Sequence, residues 1–156
     1  MYTSYSFTHE PLSLEALVSK VESKQAGAIS TFIGTTRDTY QGKKVLRLEY
    51  QAYEDMALHE FEQLGKKASR RWSEPPLLAL AIIHRLGLVL PGEASVMIAV
   101  ASAHRRESLE AVQYLIDALK NTIPIWKREV LEGEGGSEEA VWRANAHPTG
   151  NEKGSE

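Results

Sequence analysis

Two lysines, Lys120 and Lys127, stand on either side of the Ile123-Pro124 step, and they are the first candidates for chemistry in this chain. A helix cannot run through that step, because the proline ring clashes with the preceding turn and Ile123 is pushed toward extended angles. The seven-residue separation therefore describes a corner rather than a helix face. Lys120 closes a helix, Lys127 rides a departing strand, and both can reach one cleft. A lysine that is partly desolvated and near other cations loses affinity for its proton, and the free amine can act as a base or nucleophile. Asp117, one turn before Lys120, works the other way by favouring the charged form. Two solvated lysines flanking a turn are the plain alternative, so the pair matters only if other groups converge on it.

Other cationic groups stand at the ends of elements. Arg37 ends an uncharged run of Ile, Thr and Phe, His104 and Arg105 stand where an apolar strand becomes a helix, and Arg128 follows Lys127. Backbone N–H groups at a helix start favour an anion, and an arginine beside them adds a planar fork matched to phosphate. The competing reading is that His104 and Arg105 only pair with Glu107 and Glu110. His84-Arg85 reads as the outer end of a buried strand, and His59 as a surface residue. The five histidines have no ligand spacing and there are no cysteines. Thiolate metal sites, disulfides and a cysteine nucleophile are thereby excluded, and neither a metal nor a cofactor is expected. Gly133 to Gly136 lacks the lysine and serine of a phosphate loop and is flanked by glutamates, so it reads as a hairpin loop.

The apolar pattern supplies the elements that must hold these residues. Residues 12–24 carry Leu14, Leu17, Val18 and Val21 at helical spacing behind Ser13 as N-cap. A strand over 28–36 delivers Arg37, residues 38–44 form a loop, and 45–53 alternate as a strand that pairs with the one before the loop. A helix over 54–72 presents Ala57, Phe61, Leu64, Ala68 and Trp72 and stops before Pro75-Pro76. Residues 77–84 read as a central strand, 86–90 as a short one and 95–101 as another buried strand. The third helix follows with the stripe Leu109, Val112, Leu115, Ile116 and Leu119, and Ser102 is a possible cap. Residues 126–131 are extended, and 140–146 form a last strand. Adjacent strand pairs argue for an α+β fold with mostly antiparallel sheet and three main helices. The chain has 156 residues, a formal net charge of −3 and a pI near 6.0. One domain over 1–146 with a disordered polar tail over 147–156 is expected, with no global field for nucleic acid and no apolar run for a membrane span. A soluble, cytoplasmic protein is the default.

Several motifs in unbroken order carry a resemblance over residues 26–142. They are Gly34-Thr35-Thr36-Arg37, Leu48-Glu49-Tyr50-Gln51-Ala52-Tyr53, Ile83-His84-Arg85-Leu86-Gly87, Ser102-Ala103-His104-Arg105, and Lys120 through Pro124-Ile125-Trp126-Lys127. Together they resemble the large, catalytic subunit of molybdopterin synthase, whose fold is an α+β hammerhead-like domain. Departures at Thr36, Tyr40 and Gln51 touch none of the cationic positions. The resemblance implies a sulfurtransferase that converts cyclic pyranopterin monophosphate to the dithiolene of molybdopterin in molybdenum cofactor biosynthesis. The sulfur would arrive as a thiocarboxylate on the C-terminal Gly-Gly tail of a small ubiquitin-like subunit. By position, Arg37, His104 and Arg105 would bind pterin and phosphate, with Thr35 and Thr36 lining the pocket. Lys120 would do acid/base work and Lys127 would assist, with Arg128 and Glu129 beside it. The family pattern is a homodimer of large subunits with a small subunit at each end. Two other classes stay open on the residues alone: a non-catalytic module binding a phosphorylated metabolite or acidic tail, and a Schiff-base enzyme using Lys120 or Lys127.

Overall fold

The computed structural model describes residues 1–144, which form two sheets and three helices. The first sheet has the spatial order β1 (Tyr2–Thr8), β5 (Leu77–Arg85), β7 (Ala94–Ser102), β2 (Ala28–Thr35). All its pairings are antiparallel except β1 with β5, which run parallel. The second sheet has the order β3 (Thr39–Tyr40), β4 (Lys43–Ala52), β8 (Ile125–Glu132), β9 (Glu138–Ala144), and β6 (Gly87–Val89) also pairs with β4. An α+β architecture with mostly antiparallel sheet is therefore observed.

Alternation along β5 explains how the helices attach. Ala79 and Ala81 face one side with Met97, Ala99 and Ala101 of β7, and this shallow surface receives Leu17 and Val21 of α1 (Leu14–Val21). The hydroxyl of Ser13 accepts from the Ala16 N–H at 3.2 Å, so this helix starts where its capping residue predicts. Leu80 and Ile82 face the other side, where α2 (Glu54–Arg71) and α3 (Arg105–Thr122) bury Phe61, Leu64, Leu115 and Leu119 against Ile98 and Val100. Two close approaches fix these helices. A Cβ on Gly65 would sit 1.8 Å from the Tyr5 hydroxyl of β1, and Ser30 of β2 hydrogen-bonds Ser108 of α3 at 2.7 Å in the core.

The corner after α3 forms as its proline dictates. Ile123 has extended angles (φ −84°, ψ 130°), its N–H donates to Leu119 O at 3.2 Å, and the chain leaves as β8. Ile123 and Ile125 are both buried, anchoring the corner from each side of Pro124.

Residues 2–8, given no element from sequence, form β1, because their mixed polar and aromatic composition hides a strand paired along only one edge. Three expectations need correction. Residues 38–44 are a tight hairpin in which Thr39 and Tyr40 pair with Lys44 and Lys43. Gln41 and Gly42 both have positive φ, the mark of a two-residue turn whose twist matches its strands. The strand over 45–53 does not pair with the strand before the loop: β2 adds to β7, while β4 is flanked by β8 and β6 in the other sheet. Leu109 is largely exposed rather than part of the buried stripe of α3. Ser102 does serve the start of α3, its hydroxyl accepting the Ser108 N–H at 3.1 Å, although His104 holds the N-cap position. The expectations for residues 145–156, including the end of the last strand, lie outside the described residues. No helix among the described residues is long and apolar enough to cross a membrane.

Candidate active site

Where the end of β2, the C-terminal turn of α3 and the middle of β4 and β8 meet, a cavity of about 180 Å³ opens between the sheets. Lys120 reaches it from α3, Lys127 and Glu129 from β8, and Thr35, Thr36 and Arg37 from the segment leaving β2. Six of the nine residues singled out from sequence therefore share one cavity, although they come from three stretches of chain. The strand period places Lys127 and Glu129 on the same face of β8, opposite Tyr50 and Leu48 of β4. Lys120 and Arg37 are exposed at the mouth, whereas Glu129 is buried.

The buried carboxylate organises the charge. Glu129 Oε1 lies 3.5 Å from Lys127 Nζ, and Oε2 lies 3.3 Å from Arg143 Nε on β9. Arg143 in turn packs its guanidinium 3.9 Å from the centre of the Tyr40 ring and donates to the Tyr40 hydroxyl. A buried anion between two cations is held by both and orients both, which keeps Lys127 pointing along the wall of the cavity. Thr36 Oγ1 is buried and has no hydrogen-bond partner among the described residues. Its backbone is fixed: Thr36 N–H donates to Glu93 O at 3.0 Å, and Gly92 N–H donates to Thr36 O at 2.8 Å. A buried hydroxyl held in place without a partner is a group awaiting one.

The floor holds residues that the sequence reading passed over. His84 is almost fully buried, yet it lines the cavity beside Tyr50, whose ring meets it edge-on with centroids 4.9 Å apart. His84 Nδ1 lies 2.7 Å from Arg85 O. Burial pushes its pKa down to about 4, and the charge of Lys127 adds in the same direction against the backbone hydrogen bond. Burial likewise raises the Tyr50 phenol above its ordinary value. His84 was read as a strand's outer end because residues 77–84 are apolar without interruption, which masks which side each residue faces. The same two-residue period that sends Leu80 and Ile82 inward places His84 with them. Arg143 carried no signal in sequence beyond its position in the closing strand.

Three residues lie elsewhere. Arg128 points to the opposite face of β8 and pairs with Glu49 at 3.1 Å. His104 and Arg105 are exposed at the start of α3. Fifteen residues of that helix separate Arg105 from Lys120, which is roughly 22 Å at the helical rise. Within one chain these two groups cannot serve the same small ligand.

What the arrangement can do is bind anions and move protons. Arg37, Lys120 and Lys127 bring three cations to one small space, Lys127 half-buried on its wall and the other two exposed at its mouth, so contacts made deeper in the cavity are the stronger ones. No cluster of three or more metal-ligating side chains occurs among the described residues.

Comparison with known proteins agrees with this geometry. Residues 7–122 match the family model described as "MoaE protein". The molybdopterin synthase catalytic subunit of Homo sapiens is 46% identical over 144 residues, covering 90% of this chain and 75% of that protein. The crystal structure of molybdopterin synthase from Staphylococcus aureus superposes with a TM-score of 0.79 at 31% identity, covering 88% of this chain and 94% of that one. A complex of subunits 1 and 2 of molybdopterin-converting factor from Helicobacter pylori shares the fold, with a TM-score of 0.68 at 23% identity over 94% of this chain and 92% of that one.

Proposed function

The chain belongs to the MoaE protein family, the catalytic subunit of molybdopterin synthase in molybdenum cofactor biosynthesis, and we propose that its cationic cavity is where sulfur passes to cyclic pyranopterin monophosphate. The single observation that carries this reading is the convergence of Lys120, Lys127 and Arg37 on one cavity lined by the unpartnered Thr36 hydroxyl. The two reactants are both anionic: a cyclic phosphate, and the thiocarboxylate at the Gly-Gly terminus of a small ubiquitin-like subunit. Two anions approach within bonding distance only where fixed positive charge offsets their repulsion. In each transfer the thiocarboxylate sulfur forms a bond to a substrate carbon as a C–O bond at that carbon breaks, the departing oxygen takes a proton delivered through Lys120, and water then cleaves the resulting thioester so that the tail leaves as a carboxylate. Lys120, at the mouth, is the proton carrier; Lys127, tethered to Glu129, is the fixed charge.

His104 and Arg105 as phosphate ligands require a second chain. A cavity of about 180 Å³ is smaller than the ~300–1,000 Å³ of ordinary ligand sites, so a pterin phosphate would extend past its mouth. Among the described residues the outer edge of β2 has no pairing partner, β2 carries no charged residue to protect it, and Ile29 and Ile33 are exposed. Ala28, at one end of β2, pairs with Ser102 beside the start of α3, and the other end runs into Thr36 and Arg37. Antiparallel pairing of two β2 edges would bring the second copy's His104 and Arg105 toward this cavity.

The test mixes the chain with a thiocarboxylated small subunit and cyclic pyranopterin monophosphate and follows dithiolene product by mass spectrometry. Product is expected from the wild type, and from a folded Lys120→Ala variant at about one percent of that rate or below. Tail binding without product would make the chain a binding module instead.

A further inference from the structure

The cavity is richer in donors than in acceptors. Arg37, Lys120 and Lys127 can only donate, which suits a phosphate and a thiocarboxylate. A pterin ring also carries N–H donors, and these need acceptors once they leave water. The Glu129 carboxylate lies in ion-pair range of Lys127 and Arg143, and although its Oε2 has no hydrogen-bond partner among the described residues, its negative charge is matched by those two cations and would repel an incoming anion. His84 carries no such charge. The Arg85 carbonyl can only accept, so the proton of the ring sits on Nδ1 and the lone pair stays on Nε2. Among the described residues, its hydrogen bond is through Nδ1 alone. The ring cannot turn freely, because Tyr50 meets it edge-on at 4.9 Å and Phe7 packs at 6.3 Å.

We propose that His84 is a substrate-binding residue of this cavity, presenting Nε2 as a neutral hydrogen-bond acceptor to an N–H donor of the pterin ring. This rests on the sulfur transfer proposed above and divides recognition in two: the cations at the wall and mouth take the anionic groups, and the floor reads the ring. Burial keeps the imidazole neutral at every pH near 7, so the acceptor is always available. A neutral acceptor also avoids placing a second carboxylate near the incoming anions, which would weaken their binding.

The experiment measures calorimetric binding of two probes to the full chain: a pterin without phosphate, and inorganic phosphate. His84→Phe keeps a ring against Tyr50 and removes the acceptor. It is expected to weaken the pterin about tenfold, the usual loss for one stranded hydrogen bond, and to leave phosphate affinity unchanged. His84→Gln, whose amide oxygen can stand near the position of Nε2, is expected to recover part of the loss. Pterin affinity equal to wild type in folded His84→Phe, or equal losses for both probes, would overturn the assignment while leaving the cationic site intact. A wild type that binds phosphate but no pterin would remove the substrate reading itself, and His84's role with it. If the variants do not fold, the ¹⁵N resonance of Nε2 in the wild type decides: movement on adding pterin supports the hydrogen bond, and an unmoved resonance overturns it.

Discussion

Exchanging active sites between two defective chains tests the geometry most directly. Lys120 and Arg105 lie at opposite ends of α3, roughly 22 Å apart, so a site that uses both must draw them from different chains. Lys120→Ala and Arg105→Ala homodimers would each have both sites broken. Loss of one charge-stabilising donor costs on the order of 2.7–4 kcal/mol, or about 10²–10³ in rate, so each background should fall near one percent or below. In a dimer carrying one chain of each kind, one site combines both defects. The other takes Lys120 from the Arg105→Ala chain and Arg105 from the Lys120→Ala chain, and is intact. Mixed dimers purified through two different affinity tags should therefore recover about half of wild-type product formation, one site in two. The converse pairing, wild type with a chain carrying both substitutions, should be nearly inactive, because each site then lacks one group. Supply from within one chain predicts the reverse: nothing from the first mixture and about half from the second. That reversal, measured as dithiolene product at equal dimer concentration, would refute the argument.

Three further outcomes follow from packing and titration. Phe61 of α2 is fully buried against β1, where Tyr5 stacks on it at a centroid distance of 6.0 Å and the tilted Phe7 ring packs at 5.7 Å; Phe61→Ala should cost about 3–5 kcal/mol in urea unfolding. Gly65→Ala should cost about 1–3 kcal/mol, because its methyl would meet the Tyr5 hydroxyl; since that oxygen is the obstacle, the penalty should shrink in a Tyr5→Phe background, and an unchanged penalty would locate the conflict elsewhere. The folded-state pKa of His84, about 4, lies below the ordinary 6.5, so the unfolded chain takes up a proton first as pH falls. Its contribution to stability is fully present above pH 6.5 and is lost between 6.5 and 4, an amount of about 3 kcal/mol. Urea midpoints at pH 7 and pH 4.5 should differ by less in His84→Phe than in the wild type, and identical differences would show that the imidazole is not buried as described.

Local signals carried the elements well. Ser13 marks the start of α1, the stripe from Ala57 to Trp72 is buried as its spacing requires, and the Ile123-Pro124 step makes the corner that turns Lys120 and Lys127 into one cavity. Where reading failed, the missing information was about pairing across distance. β4 follows β2 after a short connection, yet it joins β8, about eighty residues later in the chain. The strand at residues 2–8 does alternate, with Tyr5 and Phe7 packed on the core and Ser4 and Ser6 between them facing away, but two aromatic residues among serines and threonines are a weak signal for a strand paired along one edge. Arg128 sits next to Lys127 and was grouped with it, although neighbours on a strand face opposite ways.

By itself the sequence determined that cations would gather at element ends, that no cysteine could carry the sulfur, and that a family resemblance joined these positions in order. Those properties depend on residue identity and short-range geometry, which a linear string contains. Tertiary structure alone decided that Glu129 stands between Lys127 and Arg143, that Thr36 is buried without a partner, and that His84 forms the floor. Each depends on which strand pairs with which and in what register, and a shift of one residue would send every one of these side chains to the other face.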